Sequence, residues 1–148
     1  MSSYLETTVQ LEGEMRFVAT SATGHRMTMD ASPEGGGHDA GPMPIELVLM
    51  GLGGCTAMDV LGILRKMRQD VTDYRIQVHG TRRDDHPKVF TEITVEHVVT
   101  GHHVSAEAVE KAVRLSWEKY CSVGAMLEQT AHLAHTWRVA EAPVRAAA

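Results

Sequence analysis

The stretch Gly41–Met67, GPMPIELVLMGLGGCTAMDVLGILRKM, decides how this chain is read. It is the longest apolar run, it holds one of two cysteines, and from Leu47 to Leu64 its only charge is Asp59. A helix of this composition is expected to be buried against protein on nearly every side. Pro42 and Pro44 mark its entry, since proline is tolerated in a first turn, and Glu46 suits the positive end of the dipole. Arg65, Lys66 and Arg68 stand at the negative end. Gly51, Gly53 and Gly54 each cost roughly 1 kcal/mol against alanine inside a helix. Such a cost is recovered where a second backbone comes close, so another helix is expected to cross at these glycines, with Cys55 at the crossing.

Composition narrows the possibilities. With 148 residues and 43% hydrophobic content, the chain holds one domain with a real core. The net charge of −5 and the lack of a Lys/Arg cluster argue against a nucleic-acid partner. No membrane partner is expected, because Asp59 interrupts the single apolar run that approaches the roughly 20 residues a span needs. The start, MSSYLETTVQ, has neither the basic residues nor the apolar core of a signal peptide, so a cytoplasmic location is expected. In a reducing compartment two cysteines are either inert or chemical.

Outward from the helix, alternation over residues 4–30 predicts a three-stranded meander. The glycine- and proline-rich stretch 31–44 predicts a mobile loop feeding the central helix at 45–67. Residues 74–100 alternate on both sides of Asp84–Pro87 and predict a long hairpin, with His97 on the core-facing row as a structural residue. Ser105 is a plausible N-cap for a helix pair over 105–130, broken near Cys121, and 131–140 predicts a closing strand. The order is α+β in one domain. A chain this short cannot cover an all-apolar helix alone, so a homodimer is expected.

The cysteines show no C-x-x-C and no zinc-finger spacing. His132 and His135 would point to opposite faces of a strand, and no metal is expected. Redox chemistry asks for a thiolate, a cation to favour it, an acid to hold the cation, and a second thiol. Cys121 at a helix start would have its thiolate favoured by the dipole, whereas Cys55 would need an arginine from elsewhere.

PIELVLMGLGGCTAMDVLGILRKMRQDV, followed much later by SWEKYCSVGAML, resembles the OsmC/Ohr family (osmotically inducible and organic hydroperoxide resistance proteins), most closely its YhfA-like branch. The resemblance implies an OsmC-like fold, antiparallel sheets around a buried central helix in an intertwined homodimer with sites at the interface. It also implies a thiol peroxidase for organic hydroperoxides, in which Cys55 attacks the peroxide and Cys121 resolves the sulfenic acid as a disulfide. An external dithiol resets the pair, and no bound cofactor is needed. The family's peroxidases carry a glutamate ten residues before the reactive cysteine. Ile45 stands there in this chain, with Glu46 next to it as the available acid. Arg16 and Arg26 are the candidates for the activating arginine, and Arg26 is preferred because it follows the glycine turn. Ile45 favours an alternative, an OsmC-like protein that binds a small apolar or electrophilic ligand at the dimer interface without efficient peroxidase activity.

Overall fold

The computed structural model describes residues 3–144. The chain divides between Val48 and Leu49 into two compact units. In the first, β1 (Thr8–Gly13), β2 (Arg16–Thr20) and β3 (Arg26–Met29) form an antiparallel meander in that order. Glu14 makes the β1–β2 turn with a left-handed φ of 54°. The following stretch, expected as a mobile loop, is laced to one side chain. The buried carboxylate of Asp30 accepts N–H bonds from Ala31, His38 and Ala40 at 2.8, 3.1 and 3.1 Å. Burial alone would raise the Asp30 pKa, but these three N–H donors and the charge of Arg16 hold it below the usual carboxylate value.

The central helix, α1 (Pro44–Lys66), opens on a half-formed capping box. The Met43 N–H donates to Glu46 Oε2 at 2.8 Å, and the Glu46 N–H donates to the Met43 carbonyl at 3.0 Å. The carboxylate therefore satisfies a backbone donor at its own helix end.

The second unit holds most of α1 and a sheet ordered β4 (Asp70–Arg82), β5 (Phe90–His102), β6 (His132–Glu141). β4 and β5 form the long antiparallel hairpin, but β6 runs parallel to β5, so this sheet is mixed rather than wholly antiparallel. A parallel neighbour requires a crossover. It is supplied by α2 (Ala106–Leu115), a π-helical turn (Ser116–Tyr120) and α3 (Ser122–Leu127). Ser105 caps α2 by accepting from the Ala108 N–H at 3.2 Å. Val60 and Leu64 of α1 meet Val99 of β5 and Val109, Ala112 and Val113 of α2 in one buried cluster.

A single chain covers α1 only in part, and one expectation for it needs correction. Within this chain the helix is buried on one stripe only, Leu52, Thr56, Val60 and Leu64, four residues apart and so on one face. Met50 and Met58 are 55% and 78% exposed. By length and composition the helix is also able to cross a membrane, although its buried stripe is committed to the core of the second unit. The expectation to correct is the crossing at the glycines: among the described residues of this chain no other helix comes close to them. A β-carbon at Gly53 would sit 3.2 Å from Val78 Cγ2, so a strand, β4, makes the close approach, while Gly51 and Gly54 meet nothing within 4 Å.

One polar chain runs through the core. His97, 1% exposed, bonds through Nδ1 to the Tyr74 hydroxyl at 2.5 Å and through Nε2 to His135 Nδ1 at 3.1 Å. Burial pushes the Tyr74 phenol up, so it keeps its proton and donates it. His97 Nδ1 must then be bare, its Nε2–H donates to His135, and the proton of His135 is on Nε2. The three rings stack in turn, and Trp117 leans on His135 with centroids 4.6 Å apart. His132 is exposed, on the opposite face from His135.

Desolvation by burial lowers both His97 and His135 to about 4, and His135 adds repulsion at His97. Unfolding frees both rings to bind protons at the ordinary value of about 6.5. The unfolded chain therefore carries more protons between about pH 4 and 6.5. Stability from this pair should be full above pH 6.5 and fall as the pH drops toward 4, with up to two protons taken up per unfolding event. Denaturant midpoints measured across this range should show that slope, and His97→Phe should flatten it.

Candidate functional site

Cys55 and Asp59 are four residues apart on α1 and so share a face, next to the buried stripe that contains Thr56. Cys121 reaches the same place from the far end of the crossover. The π-helical turn bonds the Cys121 N–H to the Ser116 carbonyl at 2.8 Å, five residues back. This wider turn brings both Ser116 and Cys121 to α1. The Ser116 hydroxyl donates to Asp59 Oδ2 at 2.9 Å. Cys121 Sγ lies 3.4 Å from Thr56 Oγ1 and accepts the Gly124 N–H at 3.3 Å, as the N-cap of α3.

The result is a compact group. The sulfurs of Cys55 and Cys121 and a carboxylate oxygen of Asp59 lie within 4.8 Å of one another. Both cysteines are free thiols; Cys55 is half-buried, and Cys121 is 4% exposed. Gly124 makes the approach of α3 possible, since a β-carbon there would stand 3.3 Å from Cys121 Sγ.

Cys121 departs from the expected electrostatics. Burial pushes its thiol up, and the neighbouring Cys55 sulfur adds to the rise. The bonds from Thr56 and Gly124 pull the other way without cancelling it. α3 has six residues, and its dipole does not overcome the loss of water around the sulfur.

Of the residues singled out in the sequence, the structure brings Cys55 and Cys121 together. Glu46 caps the start of α1, and Arg26 is exposed at the start of β3, paired with Thr20 of β2. Both belong to the first unit. Three polar residues of the site were missed: Thr56, Asp59 and Ser116. Asp59 had a signal, being the lone charge of an apolar helix at i+4 from a cysteine. Between α1 and β4, an open apolar cleft of about 310 Å³ is lined by Leu49, Met50, Gly53, Gly54, Ile76 and Val78; its lining reaches Gly54, the neighbour of Cys55 in the chain, but neither cysteine. A second recess, of about 450 Å³ and lined by Arg75, Glu96 and Arg138 among others, contains neither cysteine.

The chain is similar to known proteins along nearly its whole length. The family described as OsmC-like protein matches residues 36–136. Protein YhfA of Escherichia coli (strain K12) is 44% identical over 128 residues, 86% of this chain and 92% of that protein. The crystal structure of a hypothetical protein from Aquifex aeolicus VF5 superposes with a TM-score of 0.85 at 36% identity, covering 96% of this chain and 100% of the other. The organic hydroperoxide resistance protein OhrB of Bacillus subtilis superposes with a TM-score of 0.61 at 16% identity, over 92% and 98% of the two chains, a likeness of fold.

The Thr56 hydroxyl favours the Cys121 thiolate, so Thr56→Val should raise the Cys121 pKa further. Alkylation rates measured against pH in a Cys55→Ser background would show the profile move to higher pH; an unmoved profile would mean that the 3.4 Å contact carries no charge stabilisation.

Proposed function

The chain belongs to the OsmC-like family, and from that premise we propose that it is a thiol peroxidase for organic hydroperoxides. The observation that carries this reading is the pair of free thiols with sulfurs within 4.8 Å, one half-buried and one buried. A disulfide is about 2.05 Å long, so a gap of roughly 3 Å at most has to close. The half-buried Cys55 is the thiol a peroxide meets. Its thiolate attacks the peroxide oxygen, the O–O bond breaks, and the leaving alkoxide takes a proton to depart as an alcohol. Cys55 is left as a sulfenic acid. The Cys121 sulfur then forms the S–S bond and water leaves. An external dithiol returns two electrons and two protons. The apolar cleft along Leu49, Met50, Ile76 and Val78 suits an organic tail. Arg26 and Glu46 are the residues proposed as the activating cation and its acid.

A second reading has its own support. Ile45 holds the position where the family's peroxidases carry glutamate, and the Glu46 carboxylate is engaged with the Met43 N–H. Under that reading the protein binds a small apolar or electrophilic ligand without efficient turnover.

Stopped-flow titration of the pre-reduced protein with cumene hydroperoxide separates the two. The peroxidase should lose two thiols per peroxide, Cys55→Ser should be inactive, and Cys121→Ser should stop at a trappable sulfenic acid. Thiol loss no faster than that of free cysteine would overturn the peroxidase and leave the binding reading.

The working form is proposed to be a homodimer, because Met50 and Met58 expose an apolar face of α1 that one chain leaves bare. Sedimentation equilibrium should give twice the mass of 16.2 kDa, and Met58→Lys should weaken association by at least ten-fold. A monomeric parent protein would refute it.

A further inference from the structure

The carboxylate beside the two thiols has no part in the peroxidase cycle above, yet it is built into the site. Cys55 and Asp59 project from one helix face at i and i+4, and Cys121 closes the triangle from the crossover. Tetrahedral zinc holds sulfur at about 2.3 Å and carboxylate oxygen at about 2.0–2.2 Å, which sets ligand atoms roughly 3.5–3.8 Å apart. Three atoms already within 4.8 Å of one another need to move by about 1 Å at most to reach that spacing.

The surroundings are those of an oriented ligand set. Ser116 donates to Asp59 Oδ2 at 2.9 Å and fixes the carboxylate while leaving a second oxygen to offer. Gly124 N–H and Thr56 Oγ1 direct the Cys121 sulfur from two sides. Partners of this kind orient metal ligands and typically change affinity 10- to 100-fold. Two thiolates and one carboxylate select a soft or borderline dication; calcium and magnesium ask for six or more oxygens, and this group offers one carboxylate.

We propose that Cys55, Asp59 and Cys121 form a three-ligand site for one divalent cation of the zinc class, which closes the thiol pair to oxidation while it is bound. Binding displaces one proton from each thiol to solvent and changes no oxidation state. A sulfur lone pair given to the metal is not free to attack a peroxide, and a disulfide has no thiolate to give a metal. Occupancy by cation and oxidation by peroxide therefore exclude each other. The protective half of this proposal rests on the peroxidase reading; the site itself does not.

Cobalt(II) is the probe, because tetrahedral thiolate coordination gives a near-ultraviolet charge-transfer band and strong visible absorption. Pre-reduced, metal-free protein should develop both at one cobalt per chain, and zinc should displace them. Cys55→Ser and Cys121→Ser should each abolish the charge-transfer band of the pair, and Asp59→Asn should weaken cobalt binding by at least ten-fold. Ser116→Ala, which keeps all three ligands, should weaken it less. With zinc bound, the rate of thiol loss to cumene hydroperoxide should fall by at least ten-fold.

No band at stoichiometric cobalt, with both thiols shown to be free, would overturn the site. So would a band of undiminished strength and affinity in Cys121→Ser, which would leave Cys55 as the thiolate ligand and place Cys121 outside the site. Equal affinity in Asp59→Asn and Ser116→Ala would reduce the site to simple dithiol chelation and overturn its three-ligand form. Peroxide consumption by metal-free protein is scored separately: a cobalt band without turnover upholds the site and ends the peroxidase reading, and turnover without a band does the reverse.

Discussion

The buried stripe of α1 is the constraint on which the second unit depends. Val60 and Leu64 place one helix face against β5 and α2, Thr56 and Leu52 carry the same stripe on to Cys121 and Gly124, and fully burying aliphatic side chains of this kind contributes about 1.5–3 kcal/mol each. Thr56 is the one polar member, and its hydroxyl is matched by the Cys121 sulfur. The packing that holds the core together thus also fixes the angle at which Cys55 and Asp59 leave the helix. The helix is apolar beyond what this stripe uses, and its glycine-containing face is left without side chains at Gly54 and Gly62. A single element is structural on one side and uncommitted on another.

The two thiols sit in unlike surroundings, and that asymmetry organises the site. Cys121 has lost its water, and two donors only partly compensate. Cys55 keeps contact with solvent. Such a pair divides labour by access rather than by charge alone. The helix-dipole argument for Cys121 failed because α3 is short and its N-cap is buried; desolvation outweighed the two donors that the cap supplies.

Much of the fold was legible in the sequence. Strict alternation gave the meander and the β4–β5 hairpin, and Ser105 before a 3.6-residue repeat gave α2 and its cap. The family motifs brought Cys55 and Cys121 to one site before any coordinate did. Three features were not legible, for identifiable reasons. Alternation in β6 is the same for parallel and antiparallel pairing, so nothing in the strand's own residues opposed the expectation of an antiparallel sheet. Glycine reports that something comes close and not what, so β4 at Gly53 was mistaken for a helix. Ser116 was not singled out, because nothing in the sequence marks the widened turn that aims it at Asp59.

That widened turn gives the site an unusual kind of dependence. In a regular helix one residue corresponds to about 100° of rotation. Between Ser116 and Cys121 the backbone closes over five residues instead of four, and the extra residue lets the serine and the cysteine meet the same helix while Trp117 leans on His135. The spacing is held by chain length rather than by any one side chain. The exposed residues of the turn, Glu118, Lys119 and Tyr120, can change identity so long as their number does not, whereas removing a single one would swing the sulfur off α1 or pull the indole from the histidine. In this chain the position of a reactive atom is encoded as a count.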